Sequence, residues 1–333
     1  MATTYLNYPF DAEVFDYNWK QEEDPVLTAM FQSGAVVENA EIANLIANGS
    51  DIYTIPFYQV IGGDPANYDG ATNVAVSEPT SSAQSGVVYG RTKGWTARDF
   101  VIDFHSDADP MQQITSQVAK YWLKYRQSRM VDIVEAVFGV TGSGDFADWA
   151  NHKASGAAIT ATSANSIMQA ALGDNKGKFA LAIMHSAIAT VLENENLLSF
   201  RKYTDPMGIE RQLNIADYNG LTVVVDDGVY KTTGDTPTYA TYFLGQGALQ
   251  YAAAPVKVPS EVQRDAITHG GEDTLVTRIR ETIHPNGFSF TRPSSGYTYS
   301  PTDAQLLATA NWSIVGNPKN IAMARLITPA TSG

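Results

Sequence analysis

The chain has 333 residues, 35 acidic and 22 basic side chains for a formal net charge of −13, and no cysteine. Disulfides, thiolate metal sites and cysteine nucleophiles are thereby excluded, and tight DNA binding over a broad face is disfavoured because surplus negative charge repels phosphate. Hydrophobic residues at 44% against 17% charged residues predict ordered cores, and the length predicts two or three substructures.

Residues 1–55 hold nine acids and one base, Lys20. The opening MATTYLNYPFDAEVF has no basic flank and no apolar core, so no signal peptide is readable. The longest apolar stretch, FALAIMHSAIATVL, is broken by His185 and Ser186 and is too short for a bilayer, which needs about twenty residues. The expectation is a soluble protein folded in the cytoplasm.

Residues 1–50 read as an acidic, aromatic arm with one helical piece, DPVLTAMFQSG, opened by Asp24-Pro25 and closed by Gly34. IYTIPFYQV and GVVYGRTKGWTARDFVIDF read as two strands joined by a Gly-, Asn-, Ser- and Thr-rich tract. A two-stranded extension with so little apolar face needs a neighbour to lie on. Next, Asp109 as N-cap, Pro110 at the first helical position and Gln112 in a capping box predict a helix start. Ile114, Val118, Tyr121, Trp122 and Tyr125, then Ile133, Val134, Val137 and Phe138, continue at helical spacing without Gly or Pro over 111–138. That is a spine of about 40 Å.

VFGVTGSGDF (137–146) has the glycine density of a phosphate loop. It follows a helix instead of a strand, and Asp145 and Phe146 stand where lysine and hydroxyl belong, so Gly139 reads as a helix stop. Residues 147–253 alternate: SANSIMQAALGD is a helix starting near Ser163, KFALAIMH a buried strand, and SAIATVLENENLL a helix capped by Ser186. LTVVVDDGVYKTT and TYATYFLGQGAL supply further strands. PVKVPSEVQRD, DTLVTRIRETIH and GFSFTR are strand-like, separated by HGGE and PNG. Ser300-Pro301-Thr302-Asp303 caps QLLATANW, and NIAMARLIT closes the chain as a strand. There is no internal repeat.

Candidate chemistry is sparse. Asp226 and Asp227 in VVVDDG pair acids at a strand end, but Asp227-Gly228 also reads as a hairpin turn before VYKTT. His105, His152, His185, His269 and His284 form no ligand spacing. His269 and Glu272 flank two glycines in what reads as a polar turn, and His185-Ser186 lacks a nucleophile elbow. KYWLKYRQSR (120–129) mixes aromatics with Lys120, Lys124, Arg126 and Arg129. It reads as an amphipathic helix with solvated charges that makes at most loose, sequence-independent contact with phosphates. No catalytic, cofactor-binding or metal-binding residue is assigned.

The stretches GRTKGWTARDF, DPMQQITSQVAKYW and LGDNKGKFALAIMHSAIATVLE stand ahead of NGLTVVVDDG, YATYFLGQGAL, RIRETIHPNGFSF and SPTDAQLLATANWSIV. This order resembles the major capsid proteins of tailed bacteriophages, which share the Hong Kong phage fold, also called the Johnson fold. The resemblance implies an α+β fold with an N-arm (1–50), an E-loop hairpin (51–107) and a spine helix (108–140) of a P-domain. It further implies an A-domain (141–253), P-domain strands (254–299) and a C-terminal return to the A-domain (300–333). The function implied is self-assembly into pentamers and hexamers that close an icosahedral shell around double-stranded DNA. The chain would be no enzyme, would need no cofactor, and would reside in the virion after assembly in the host cytoplasm. Its partners would be itself, a portal, possible decoration proteins and, since Met1 leads directly into the arm, a separate scaffolding protein; no membrane is involved. Some such proteins link an E-loop lysine to a P-domain asparagine; Lys93 and Asn286 have suitable types, but no motif marks them. Two other readings stand beside this one. The 17 Tyr and 5 Trp suit a carbohydrate-active or carbohydrate-binding protein, and the lack of chemistry suits a tail or baseplate protein.

Overall fold

The computed structural model describes residues 3–5, 8–10, 30–59, 65, 67–70, 73, 76, 78, 81–99, 110–156, 158–160, 162–204, 210–232 and 236–331. Strands β1 (Thr3–Tyr5) and β2 (Tyr8–Phe10) form an antiparallel hairpin. The helix expected over DPVLTAMFQSG falls largely outside the described residues; residues 30–32 are helical, and Gly34 at φ 74 turns the chain away. Two further elements were not anticipated. Strand β3 (Val36–Glu38) pairs in parallel with residues 249–251. Asn39 then caps helix α1 (Ala40–Ala47), its side-chain oxygen accepting from the Glu41 and Ile42 amides. Ile42 and Ile46, one turn apart, are buried with Tyr53, Val88 and Ala252.

Strand β4 (Ile52–Tyr58) pairs antiparallel with β5 (Ser81–Val87), Ile52 opposite Val87. The hairpin partner is therefore SSAQSGV, which the sequence reading left in the connecting tract. Its small side chains leave room for an aromatic neighbour: Tyr53 lies opposite Gly86, and its ring covers that glycine so closely that any Cβ there would collide. The predicted second strand is a separate one, β6 (Tyr89–Arg98).

Helix α2 (Pro110–Gly139) begins at the expected proline and runs 30 residues, about 45 Å; Asp109, expected as its cap, is not among the described residues. Its end differs from expectation in mechanism. Gly139 is the last helical residue without a positive φ, and it is needed because the Thr309 side chain packs where a Cβ would stand. VFGVTGSGDF continues into a 3-10 helix, Gly144–His152, so no strand leads into it.

The chain continues through β7 (Lys153–Ser155), α3 (Ser163–Leu172), β8 (Phe179–Met184), α4 (Ser186–Asn194), β9 (Ser199–Thr204), β10 (Glu210–Tyr218), β11 (Leu221–Val225) and β12 (Thr238–Gly245). The expected hairpin at Asp227-Gly228 is not formed. The tight turn is Asn219-Gly220, at φ 51 and 80, between β10 and β11, where both residues take the positive φ that a two-residue hairpin requires. β11 is occupied on its other edge by β8 in parallel, which leaves no edge for VYKTT. Strands β13 (Leu249–Ala253), β14 (Ser260–Asp265), β15 (Glu272–Pro285) and β16 (Phe288–Phe290) follow. Thr302 and Gln305 form the capping box of α5 (Asp303–Leu307), and β17 (Trp312–Ile314) and β18 (Met323–Pro329) complete the chain.

Two sheets carry the molecule. One runs β7-β18-β12-β8-β11-β10-β9. The other is built on β15, with β14 and β13 along one edge, β6 along the opposite edge, and β3 beyond β13. Alternation sorts the strand side chains: in β8, Leu181 and Ile183 face one core, while Ala182 and Met184 face another with α3 and α4. Helix α2 joins both sheets. Val118, Ala119 and Trp122 cover the β15 sheet, while Met130, Ile133, Val134, Val137 and Phe138 enter the core shared with the seven-stranded sheet. At this join Phe138 stacks on Trp149 at 5.3 Å and Tyr242 at 5.9 Å. Phe138→Ala is expected to cost about 3–5 kcal/mol, read from urea unfolding of the full-length chain at pH 7; a loss below about 1 kcal/mol would show that the join is not a packed core.

Candidate functional site

Arg126, Arg129, Asp132 and Glu135 recur every third residue of α2, so each step turns about 60° and the row winds round the helix from one side to the other. Arg126 Nε donates to Glu281 Oε2 at 2.9 Å, and Glu281, on β15, is 1% exposed. The Tyr89 hydroxyl of β6 donates to Oε1 at 3.0 Å, and that of Tyr251 on β13 to Oε2 at 3.2 Å. One carboxylate thus ties the helix to three strands. Burial, then the Glu281 charge, drives the Tyr89 phenol pKa well up, so it remains a donor. Burial opposes the Arg126 charge most strongly, but Glu281 together with the Tyr251 and Tyr89 phenols outweighs it and the net shift is upward. Further along, Asp303 accepts from Arg91 at 2.6 Å and from the Tyr125 hydroxyl at 2.9 Å, with Arg129 at 3.5 Å. Glu135 accepts from the Tyr242 hydroxyl at 2.7 Å and from Arg325 at 2.6 Å.

These contacts settle the reading of KYWLKYRQSR. Arg126 and Arg129 are engaged inside the molecule, and Trp122 is buried with its Nε1 donating to Thr277 at 3.0 Å. The two basic residues are therefore not solvated as expected. The pairing was missed because α2 and β15 are 155 residues apart, although the sequence held a hint: Glu281 stands in phase with Ile279 and Ile283 on the inward face of β15.

The paired acids of VVVDDG serve local structure. Asp226 Oδ1 accepts from the Gly228 amide at 2.7 Å and its Oδ2 from Gln127 at 2.6 Å. Asp227 accepts from the Ser186 amide at 3.1 Å, and hydrogen bonding from Ser186, its hydroxyl first and then its amide, lowers the Asp227 pKa. His185, Ser186 and Asp227 cluster, but not as a relay. His185 Nδ1 accepts the Ala187 amide at 3.0 Å, so it holds a lone pair and cannot donate to Asp227, 3.5 Å away. His185, rather than Ser186, is the N-cap of α4.

His269 sits at φ 50 with Nδ1 3.1 Å from Glu272 in an exposed turn. His152 and His284 are fully buried, and His105 lies outside the described residues. Among the described residues no group of three or more His, Asp or Glu is placed to hold a metal ion. Lys93 and Asn286 are both exposed. Lys93 lies opposite Thr277, and Asn286 is nine residues further along the β15 direction, about 30 Å at 3.3 Å per residue, so a bond between them within one chain is out of reach. The described part of the hairpin region exposes apolar side chains: Tyr58 is 78%, Tyr68 99% and Val76 89% exposed.

Two sheets joined by one long helix thus carry a hairpin region in which Tyr58, Tyr68 and Val76 are exposed. The fold is similar to that of the cyanophage Pam1 capsid, at 11% identity, a TM-score of 0.52, and 85% of this chain and 86% of that chain covered. It is also similar to the capsid of Ralstonia phage GP4, at 11% identity, a TM-score of 0.51, and 91% and 89% covered. These likenesses show the α+β fold of tailed-phage capsid proteins. Residues 105–322 match the Gp13-like family, major capsid protein 13-like, and the major capsid protein of Bacillus phage SPP1 is 30% identical over 303 residues, 89% of each chain. The chain belongs to the Gp13-like major capsid protein family. It is a structural protein of a phage head, located in the virion capsid. The carbohydrate and tail readings gain no support.

Removing one partner of the buried network leaves an uncompensated charge. Arg126→Met is expected to destabilise by about 3–5 kcal/mol in urea at pH 7. Arg126→Met with Glu281→Gln, which retains an acceptor for both tyrosines, is expected to recover more than half of that loss.

Proposed function

We propose that this chain assembles with copies of itself into pentamers and hexamers that close an icosahedral shell around packaged double-stranded DNA, acting as a building block and not as a catalyst. The observation that carries this reading is the pairing of a rigid body with a hairpin region whose Tyr58, Tyr68 and Val76 are exposed to solvent. In this reading these side chains meet another chain, and the family match over residues 105–322 supports it.

In this reading residues 1–50 act as the N-arm, 51–107 as the E-loop, 108–140 and 254–299 as the P-domain, and 141–253 with 300–333 as the A-domain. The E-loop lies across the next subunit, and the A-domain meets its neighbours around each capsomer axis. The net charge of −13, together with the internal engagement of Arg126 and Arg129, supports loose contact with DNA, which would slide on the inner wall rather than adhere. A separate scaffolding protein, a portal and, where present, decoration proteins complete the set of partners, with assembly in the host cytoplasm.

Expression with and without the scaffolding partner, followed by negative-stain electron microscopy, tests the reading. Uniform closed shells or five- and six-fold rings are expected; monomers under both conditions would refute it. The triple variant Tyr58→Ser, Tyr68→Ser, Val76→Ser is expected to keep the wild-type Tm yet lower particle yield by about tenfold or more, the effect of losing interface anchors.

A further inference from the structure

Along β4 and β5 the hairpin is fastened by neutral hydrogen bonds and one titratable ring, and just ahead of β4 Arg280 donates to the Ser50 carbonyl at 2.6 Å and Arg292 pairs with Asp51. His284 of β15 has no exposed surface. Its Nε2 lies 3.4 Å from Gln84 Oε1 on β5, and its Nδ1 has no hydrogen-bond partner. Gln84 Oε1 also accepts from the Gly287 amide at 3.0 Å. An oxygen therefore faces the ring, and the neutral imidazole donates from Nε2. The Tyr53 ring of β4 packs edge-on against the imidazole, centroids 6.1 Å apart.

Around this contact, the Tyr53 hydroxyl pairs with Thr282 at 3.0 Å, Thr282 donates to the Val87 carbonyl at 2.8 Å, and the Ser85 amide donates to Ser289 at 3.0 Å. The groups facing His284 are uncharged. β4 presents Tyr53, whose pKa burial pushes up; β5 presents Gln84; β13 presents Gln250, its register partner; and Thr282 is its same-face neighbour on β15. No carboxylate and no second cation stands among them.

We propose that His284 is an acid-operated latch, holding the hairpin root on the sheet while neutral and releasing it when protonated. The added proton would sit on Nδ1, which has no acceptor, and an unpaired charge buried away from water is strongly disfavoured. Tyr53 and Gln84, which pack against the ring, belong to the hairpin, so lifting its root opens the ring to water. Burial alone holds the folded pKa at about 4, below the 6.5 or so of a free histidine. The open state therefore binds the proton first as pH falls. Closure is fully favoured above about pH 6.5 and weakens through the window down to about 4, shifting the opening equilibrium about 20-fold between pH 7 and 5.

Whole-molecule acid melting does not isolate this step. His152, stacked on Trp149 at 4.7 Å near the seven-stranded sheet, is also buried with a lowered pKa. A local readout does. Amide hydrogen–deuterium exchange of the unassembled full-length chain at pH 7 and pH 5, corrected for intrinsic rates, should rise about 20-fold in 52–58 and 81–87 and stay flat in 240–244. In His284→Gln the rise should vanish. An equal rise in both proteins, or none in wild type, overturns the latch. Should the variant not fold, exchange at the imidazole C2 position of wild-type His284 reads its titration directly. A midpoint near 4 is expected, and a midpoint near 6.5 overturns the proposal.

Discussion

Glu281 is a carboxylate with almost no access to water, and the positions of four elements depend on how it is satisfied. It accepts from Arg126, Tyr89 and Tyr251, so α2, β6, β13 and β15 must meet at one point. A single buried charge with several obligatory donors specifies geometry more sharply than apolar contact does, since a shift of any one element strands the charge. The Asp303 and Glu135 contacts repeat the device further along α2 as the row winds round it, engaging the C-terminal α5 and β18 of the seven-stranded sheet.

These contacts make α2 a strut between two sheets. Its first half lies on the β15 sheet and its second half on the seven-stranded one, and aromatic stacking of Phe138, Trp149 and Tyr242 fills the join. A shell subunit must transmit load between neighbours without deforming, and charged ties combined with dense packing suit that need. The hairpin is fastened differently. Along β4 and β5 it is held by neutral hydrogen bonds to Thr282, His284 and Ser289, individually modest, while Arg280 and Arg292 grip Ser50 and Asp51 just ahead of β4.

Much of this was legible from residue patterns. The unbroken helical spacing over 111–138, the buried strand KFALAIMH, the Thr302–Gln305 capping box and the closing strand NIAMARLIT are local signals, and each appears where the spacing placed it. The errors arose where a local signal competed with a distant partner. Asp227-Gly228 has good hairpin chemistry, yet Asn219-Gly220 makes the turn because β8 occupies the other edge of β11. Gly139 follows the last periodic residue as a helix stop would, but Thr309 is what makes a side chain there impossible. SSAQSGV looked like a linker because Ser and Gly are weak strand formers, and it is a strand because Tyr53 lies over it.

The sequence by itself determined the periodic elements, their order, and an acidic composition without metal or nucleophile motifs, since helix period, strand alternation and charge are properties of neighbouring residues. Only the tertiary structure decided which charges are structural. Strand phase separates Glu281 from Glu272, but nothing local names its partner or separates Arg126 from Lys124; Arg126 and Glu281, 155 residues apart, are brought within hydrogen-bond distance out of water only by the fold. The same holds for His284, an ordinary histidine in a strand until the hairpin folds over it and excludes the water that would let it take a proton.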